Sequence, residues 1–216
     1  SRENVQRKVV VSANVAGRDL RGVVNDIQDA IAAGVALPEG YWVEFGGQFE
    51  SEARATRLLL LTSLGAILII FLLLYMEFTD LRLAGIVLLN LPLALIGGVF
   101  IVYFTTGIIS IASTIGFISL FGIAARNGIL LVSRLQTAST SQDLQSMITE
   151  GALDRLNPIL MTALTTGLAL IPLALAGGQA GNEIQSPLAI VILGGLISST
   201  FLNLLVIPSV YWLVKR

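Results

Sequence analysis

Ser110-Ile-Ala-Ser-Thr-Ile-Gly-Phe-Ile-Ser-Leu-Phe-Gly-Ile-Ala-Ala-Arg-Asn-Gly-Ile-Leu-Leu-Val-Ser133 carries one charge, Arg126, and every other residue in it is uncharged. A helix needs about 20 predominantly apolar residues to cross a bilayer, and this stretch is long enough. An Arg inside such a helix costs about 3 kcal/mol on insertion scales. A chain keeps that cost where the charge faces a partner or a water-filled path. The stretch therefore reads as a membrane span in a protein that moves ions.

The rest of the composition agrees. Of 216 residues, 55% are hydrophobic and 12% are charged, about half the charged share of a soluble domain. A formal net charge of -1 argues against nucleic acid as a partner, which needs a concentrated basic surface. There is no Cys, so neither a disulfide framework nor a thiolate metal site is possible. There is no His, which removes the commonest proton carrier near neutral pH. The chain starts at Ser1 and shows no signal peptide. The expectation is a C-terminal piece of a longer protein.

Outward from Arg126, five apolar spans follow one another: 58–76, 83–104, 108–133, 158–176 and 187–214. The uncharged run from Leu83 to Ala125 breaks at Thr105-Thr106-Gly107. A loop, 134–157, holds an amphipathic segment, Asp143–Leu153, which reads as a helix lying on the membrane surface. Residues 1–57 look water-soluble. Lys8–Val15 reads as a strand. Asp19 opens a helical pattern with Leu20, Val23, Val24, Ile27 and Ile31 on one face, and Gly34 fits its C-terminal end. Pro38-Glu39-Gly40 is a turn, and Tyr41–Phe45 a second strand. This is a βαβ unit, too small to bury its own apolar faces. The predicted fold class is mostly α: a polytopic membrane protein with five transmembrane helices, preceded by a partial α+β (βαβ, ferredoxin-like) segment.

Basic residues set the orientation. Arg82, Arg134, Arg155, Lys215 and Arg216 fall in alternate loops and at the C-terminus, while Thr105–Gly107 and Gly177–Ser186 carry no Lys or Arg. The positive-inside rule makes the first set cytoplasmic. Residues before about 57 are then on the outer side, periplasmic in a Gram-negative cell.

Within the third span, Ser119, Gly122 and Arg126 share one helical stripe. Small residues there let another helix approach, and Arg126 would point into the bundle. The other reading is an Arg snorkelling to the headgroups. Asn127 beside it also needs a partner. In the fourth span Thr162, Thr165 and Thr166 lie on one face, where hydroxyls can simply bond the i−4 carbonyl. Arg155 precedes that span and taken alone reads as an interface anchor. The glycine pairs at 97–98 and 194–195 suit close helix packing. Met76, Met147 and Met161 form no set at ligand spacing. No nucleophile–base pair, phosphate loop or carboxylate dyad is present, so neither an enzyme, a cofactor nor a resident metal is expected.

Several motifs together resemble the resistance–nodulation–division efflux permeases, above all their heavy-metal branch. They are Arg2-Glu-Asn4, Val9–Leu20, Leu37-Pro-Glu-Gly-Tyr41, Phe45-Gly-Gly-Gln-Phe-Glu50, Gly122-Ile-Ala-Ala-Arg-Asn-Gly-Ile-Leu130 and Asn157-Pro-Ile-Leu-Met-Thr-Ala163. The resemblance covers nearly the whole chain. It implies an inner-membrane permease working as a homotrimer with a periplasmic adaptor and an outer-membrane channel, driven by the proton gradient. The βαβ unit would end the periplasmic porter domain, and the spans would be helices eight to twelve. Arg126 matches the basic relay position of helix ten, which in the family pairs with acids of helix four in the other half of the permease. Thr162 matches the relay Thr of helix eleven, and Arg155 a basic residue just before it. Asn127 completes the relay set. Some metal pumps place a Glu on helix ten and a Lys on helix eleven, and this chain has neither. The expected function is proton/substrate antiport exporting heavy-metal cations. The alternatives are a drug or lipid exporter of the same superfamily and a non-transporting membrane scaffold.

Overall fold

A computed structural model of the chain describes all residues except 1, 4, 5, 8, 16–19, 106, 138–143, 180 and 216, and leaves out the side chains of 2, 3, 6, 7, 48, 52 and 53. Ser1, Lys8, Asp19, Thr106, Asp143 and Arg216, all named from the sequence, lie outside the described residues. By contacts the chain divides into two units, Ser1–Ala53 and Arg54–Arg216.

In the first unit, β1 (Arg2–Glu3) and β2 (Gln6–Arg7) form an antiparallel ladder pairing Arg2 with Arg7 and Glu3 with Gln6. Helix α1 (Leu20–Gly34) forms where the apolar periodicity places it and ends at Gly34, with the Val35 N–H donating to Ile31 at 3.0 Å. The Tyr41 N–H then donates to Pro38 across a turn whose Gly40 has φ 87°, as a type II turn requires at that position. The βαβ unit itself is not observed. Residues 9–15 and 41–46 carry no ladder, and β1–β2 is the only sheet among the described residues. The reason is physical: a strand is held by its neighbours' N–H and C=O groups and by a covered face. Here Val9 and Val11 are more than 90% exposed, and of the α1 face only Val24 is buried.

The second unit is helical. Five helices are long and apolar enough to cross a membrane: α2 (Gln48–Phe78), α3 (Leu81–Thr105), α4 (Ile111–Thr137), α5 (Leu144–Leu175) and α6 (Gln185–Lys215). Their ends follow local chemistry. Thr79 takes the left-handed conformation (φ 52°) that stops α2, and its N–H donates to Tyr75. Asp80 caps α3 by accepting from the Arg82 N–H at 2.9 Å, and Ser110 caps α4 by accepting from the Ser113 N–H at 3.2 Å. Gly107, with φ 64°, carries the turn between α3 and α4.

These helices are apolar all round, so no stripe marks the inside. Small residues decide it. Helices α3, α4 and α6 make the core, while α2 and α5 expose most of their spans. The α3–α6 crossing brings Gly97 onto Gly194 and Ser198, and the Ser198 hydroxyl stands 3.3 Å from the Leu93 carbonyl. Gly116 lies against Val191, and Gly195 against Leu120. Such close approaches, rather than hydrophobic exclusion, hold helices together in lipid. A cluster of Phe78, Val87, Leu131, Leu135, Ile207 and Tyr211 closes the end of the bundle.

One element departs from expectation. The segment predicted as a separate surface helix is, from Leu144 on, the first part of α5, which continues through Pro158. Two contacts explain it. Ile148 is buried in the end cluster beside Leu135, where Gly151 leaves room for the Leu135 side chain. Arg134 donates from Nε and Nη2 to Asp154 Oδ2, at 3.1 and 2.6 Å. Pro158 removes one helical hydrogen bond, and this tertiary packing offsets that loss.

The loop between α5 and α6 holds a carboxylate in a backbone cradle. The Gly181 N–H donates to both oxygens of Glu183, at 3.1 and 3.0 Å. Hydrogen bonds from the Glu183 and Gly181 backbones hold the Glu183 carboxyl below its ordinary value. A depressed carboxylate contributes above its unfolded pKa and loses that contribution as pH falls through the folded one. A carbon-detected NMR titration should therefore show Glu183 titrating below the ordinary glutamate value, with the Gly181 amide shifting in step. A normal Glu183 titration would mean the cradle does not persist in solution.

Candidate relay site on helix α4

Arg126 and Asn127 are neighbours in sequence and point different ways. Successive residues of a helix are about 100° apart, and here the difference separates surface from core. Arg126 is exposed, as are Gly122 and Ser119 one and two turns earlier. A Cβ added at Gly122 would meet nothing within 4 Å. The stripe singled out from sequence is thus an uncovered face of α4, lined by small residues and ending in a guanidinium. Among the described residues Arg126 makes no ion pair, and the one bridge involving α4 is Arg134 to Asp154.

Asn127 is 2% exposed, and its Nδ2 has no hydrogen-bond partner among the described residues. Asn90 on α3 is fully buried and donates from Nδ2 to the Ala124 carbonyl of α4 at 2.7 Å. Asn203 on α6 is also fully buried. Sequence reasoning missed Asn90 and Asn203. The signal was there, an amide inside an apolar run, but it was weighed only for Asn127 because a charge stood beside it.

On α5, the Thr162 hydroxyl donates to the Pro158 carbonyl at 2.9 Å, and the Thr165 hydroxyl donates to Met161. Both hydroxyls therefore have the local i−4 partners that Thr finds in apolar helices. Arg155 is half-buried, and its Nε is buried with no partner among the described residues. No hydrogen bond or ion pair joins Arg126, Asn127, Arg155 and Thr162 to one another among the described residues. What the site offers chemically is a fixed cation in an apolar helix, on a face open to another helix. Within a low-dielectric layer, a carboxylate brought to that face would interact with it strongly.

The described residues hold no group of three or more His, Cys, Asp or Glu able to bind a metal ion. Met76 and Met161 are exposed, and Met147 packs against the end cluster.

The model of the AcrB/AcrD/AcrF family matches residues 1–215. The chain is 41% identical to the cobalt-zinc-cadmium resistance protein CzcA of Cupriavidus metallidurans over 217 residues, which is 100% of this chain and 20% of that protein. It is 40% identical to the nickel and cobalt resistance protein CnrA of the same organism, with the same coverage. To the cation efflux system protein CusA of Escherichia coli K12 it is 34% identical, covering 98% of this chain and 21% of CusA. A crystal structure of a heavy-metal efflux pump (crystal form II) superposes with a TM-score of 0.83 at 36% identity, over 94% of this chain and 20% of that one. The chain thus spans about a fifth of the length of the relatives it matches.

Proposed function

The chain belongs to the AcrB/AcrD/AcrF family of resistance–nodulation–division efflux permeases, alongside its heavy-metal pumps, and on that footing we propose that it is the membrane-embedded C-terminal part of a proton-driven exporter of heavy-metal cations. The observation that carries the proposal is the uncovered Ser119–Gly122–Arg126 face of α4. A charge kept in lipid at a face shaped for a helix calls for a partner, and the family's other half supplies acids at that place. Protonating such an acid cancels the ion pair and lets the bundle change packing, which would move the periplasmic porter through its transport cycle. Arg155, whose buried Nε has no partner among the described residues, and Thr162 complete the relay on α5, and Asn127 anchors α4 from the buried side.

The same reading organises the rest of the chain. Residues 1–57 end the porter domain on the periplasmic side. The segments 8–15 and 41–45 pair there with strands supplied by the remainder of the permease, which completes the βαβ unit. Residues 58–216 form helices eight to twelve of an inner-membrane homotrimer, with the C-terminus cytoplasmic. A periplasmic adaptor and an outer-membrane channel carry the cargo onward. The metal is cargo and not a resident cofactor, and the names of CzcA, CnrA and CusA favour cations over drugs or lipids as that cargo.

The test is growth of a metal- and drug-sensitive Gram-negative host carrying the intact permease with its adaptor and channel. Tolerance should rise for cobalt, zinc, cadmium or nickel salts and stay unchanged for hydrophobic drugs. Drug tolerance alone would favour the multidrug reading, and no change with a correctly assembled trimer would favour a scaffold.

A further inference from the structure

Five polar side-chain atoms in the core of the membrane unit have no hydrogen-bond partner among the described residues: Asn90 Oδ1, Asn127 Nδ2, Thr200 Oγ1, and Oδ1 and Nδ2 of Asn203. Their residues are between 0% and 7% exposed. Buried polar atoms in folded proteins are nearly always paired, with protein or with ordered water, and in hydrocarbon an unpaired one is more costly still.

The helix registers put the residues that carry these atoms at about one level, and Leu131 and Leu135 of α4 continue the register into one cluster with Ile207 and Tyr211 of α6. Gly116 lies against Val191 and Gly195 against Leu120, so α4 and α6 run side by side turn for turn. Two further turns along that register set Gly128, next to Asn127, level with Asn203, with Thr200 one turn before it on the same face. Helix α3 runs the opposite way past α6, with Gly97 on Gly194 and the Ser198 hydroxyl near the Leu93 and Ala94 carbonyls. One more turn brings Asn90 to the Asn203 level. The third side closes independently: Asn90 donates to Ala124, and its Nδ2 lies 3.5 Å from where a Gly128 Cβ would stand. The positions between the amides, Ala124, Gly128 and Ser199, all carry small side chains or none.

We infer that α3, α4 and α6 enclose an internal water-binding site at the level of Gly128, formed by Asn90, Asn127, Thr200 and Asn203. The chemistry of the atoms selects the ligand. Two amide oxygens and a hydroxyl accept, while two amide nitrogens donate. A metal cation would be repelled by the amide N–H groups, and an anion by the amide oxygens. Water both donates and accepts, and buried waters typically make about three hydrogen bonds to such groups. No group in the layer titrates near neutral pH, so the site differs in kind from the proposed relay at Arg126, which lies on another face of α4. Its role is to hold the three core helices in register through a shared polar layer.

The test is water-edited solid-state NMR of the full chain in lipid bilayers with 15N-labelled Asn and Leu. Magnetisation from water should reach the Asn127 and Asn203 side-chain amides nearly as fast as that of exposed Asn25, and far faster than the buried Leu131 backbone. Asn203→Leu should abolish the transfer at Asn127 by filling the site. Should that variant fail to insert, Asn203→Ala keeps the test open, because it enlarges the site and should preserve transfer at Asn127. Amides as dry as Leu131, in the native chain or in Asn203→Ala, would overturn the site and mean that the amides pair with one another.

Discussion

Arg126→Ala in the intact permease is expected to abolish export while the trimer still assembles. Removing one partner of a desolvated ion pair costs about 3–5 kcal/mol. At about 1.4 kcal/mol per decade of rate, that is at least a hundredfold loss of turnover. Arg126→Lys should keep a measurable share, since the charge remains though the planar fork is lost. The exposed position of Arg126 separates this from a packing effect, because an Ala there leaves no cavity in the five-helix unit. Gly122→Leu sharpens the point. With nothing within 4 Å of an added Cβ, it should not destabilise this chain alone, and helix propensity should add about 0.5–1 kcal/mol. In the intact permease, where a helix would cover that face, it should impair export. Export at native rates in Arg126→Ala, measured as metal efflux from loaded cells, would remove Arg126 from the relay.

The second large effect is expected at the α3–α6 crossing. An added Cβ at Gly97 would overlap the Gly194 carbonyl and the Ser198 side chain, and one at Gly194 would come within 2.6 Å of the Gly97 carbonyl. The obstacle is backbone on both sides and cannot rotate away. Overpacking a core costs about 1–3 kcal/mol, and Gly97→Leu, pressed against backbone, should reach or exceed the upper end. Thermal unfolding in detergent micelles, followed by loss of helical circular dichroism, should show a clear drop for Gly97→Leu. Gly85→Ala on the same helix meets nothing within 4 Å and should gain about 0.5–1 kcal/mol from helix propensity. Equal stability of the two variants would mean that the helices do not cross as described.

The spans were legible because crossing a membrane is a matter of length and apolarity, which the sequence states directly. Their arrangement was not. When every face is apolar, the inside is chosen by where backbones can approach, and Gly97, Gly116 and Gly195 reveal that only in pairs with their partners on other helices. The continuity of α5 was hidden by Asn157-Pro158, a dipeptide that reads as a helix boundary until Ile148 and Asp154 are seen docked on α4. The strands at 8–15 and 41–45 were read from composition, but a strand is a relation between segments, and the described residues provide no partner for either. Arg126 stood out because a charge in a span is rare. Asn90 and Asn203 did not, because a single amide can pair locally or across helices, and only burial shows which.

The most direct test of proton-driven metal export is made with the intact permease in proteoliposomes, following metal movement and internal pH together. Cobalt or zinc ions should move only when a proton gradient is imposed, protons should flow the opposite way in step, and both fluxes should vanish in Arg126→Ala. Metal movement that persists without a proton gradient, or that survives loss of the Arg126 charge, would contradict proton-driven export.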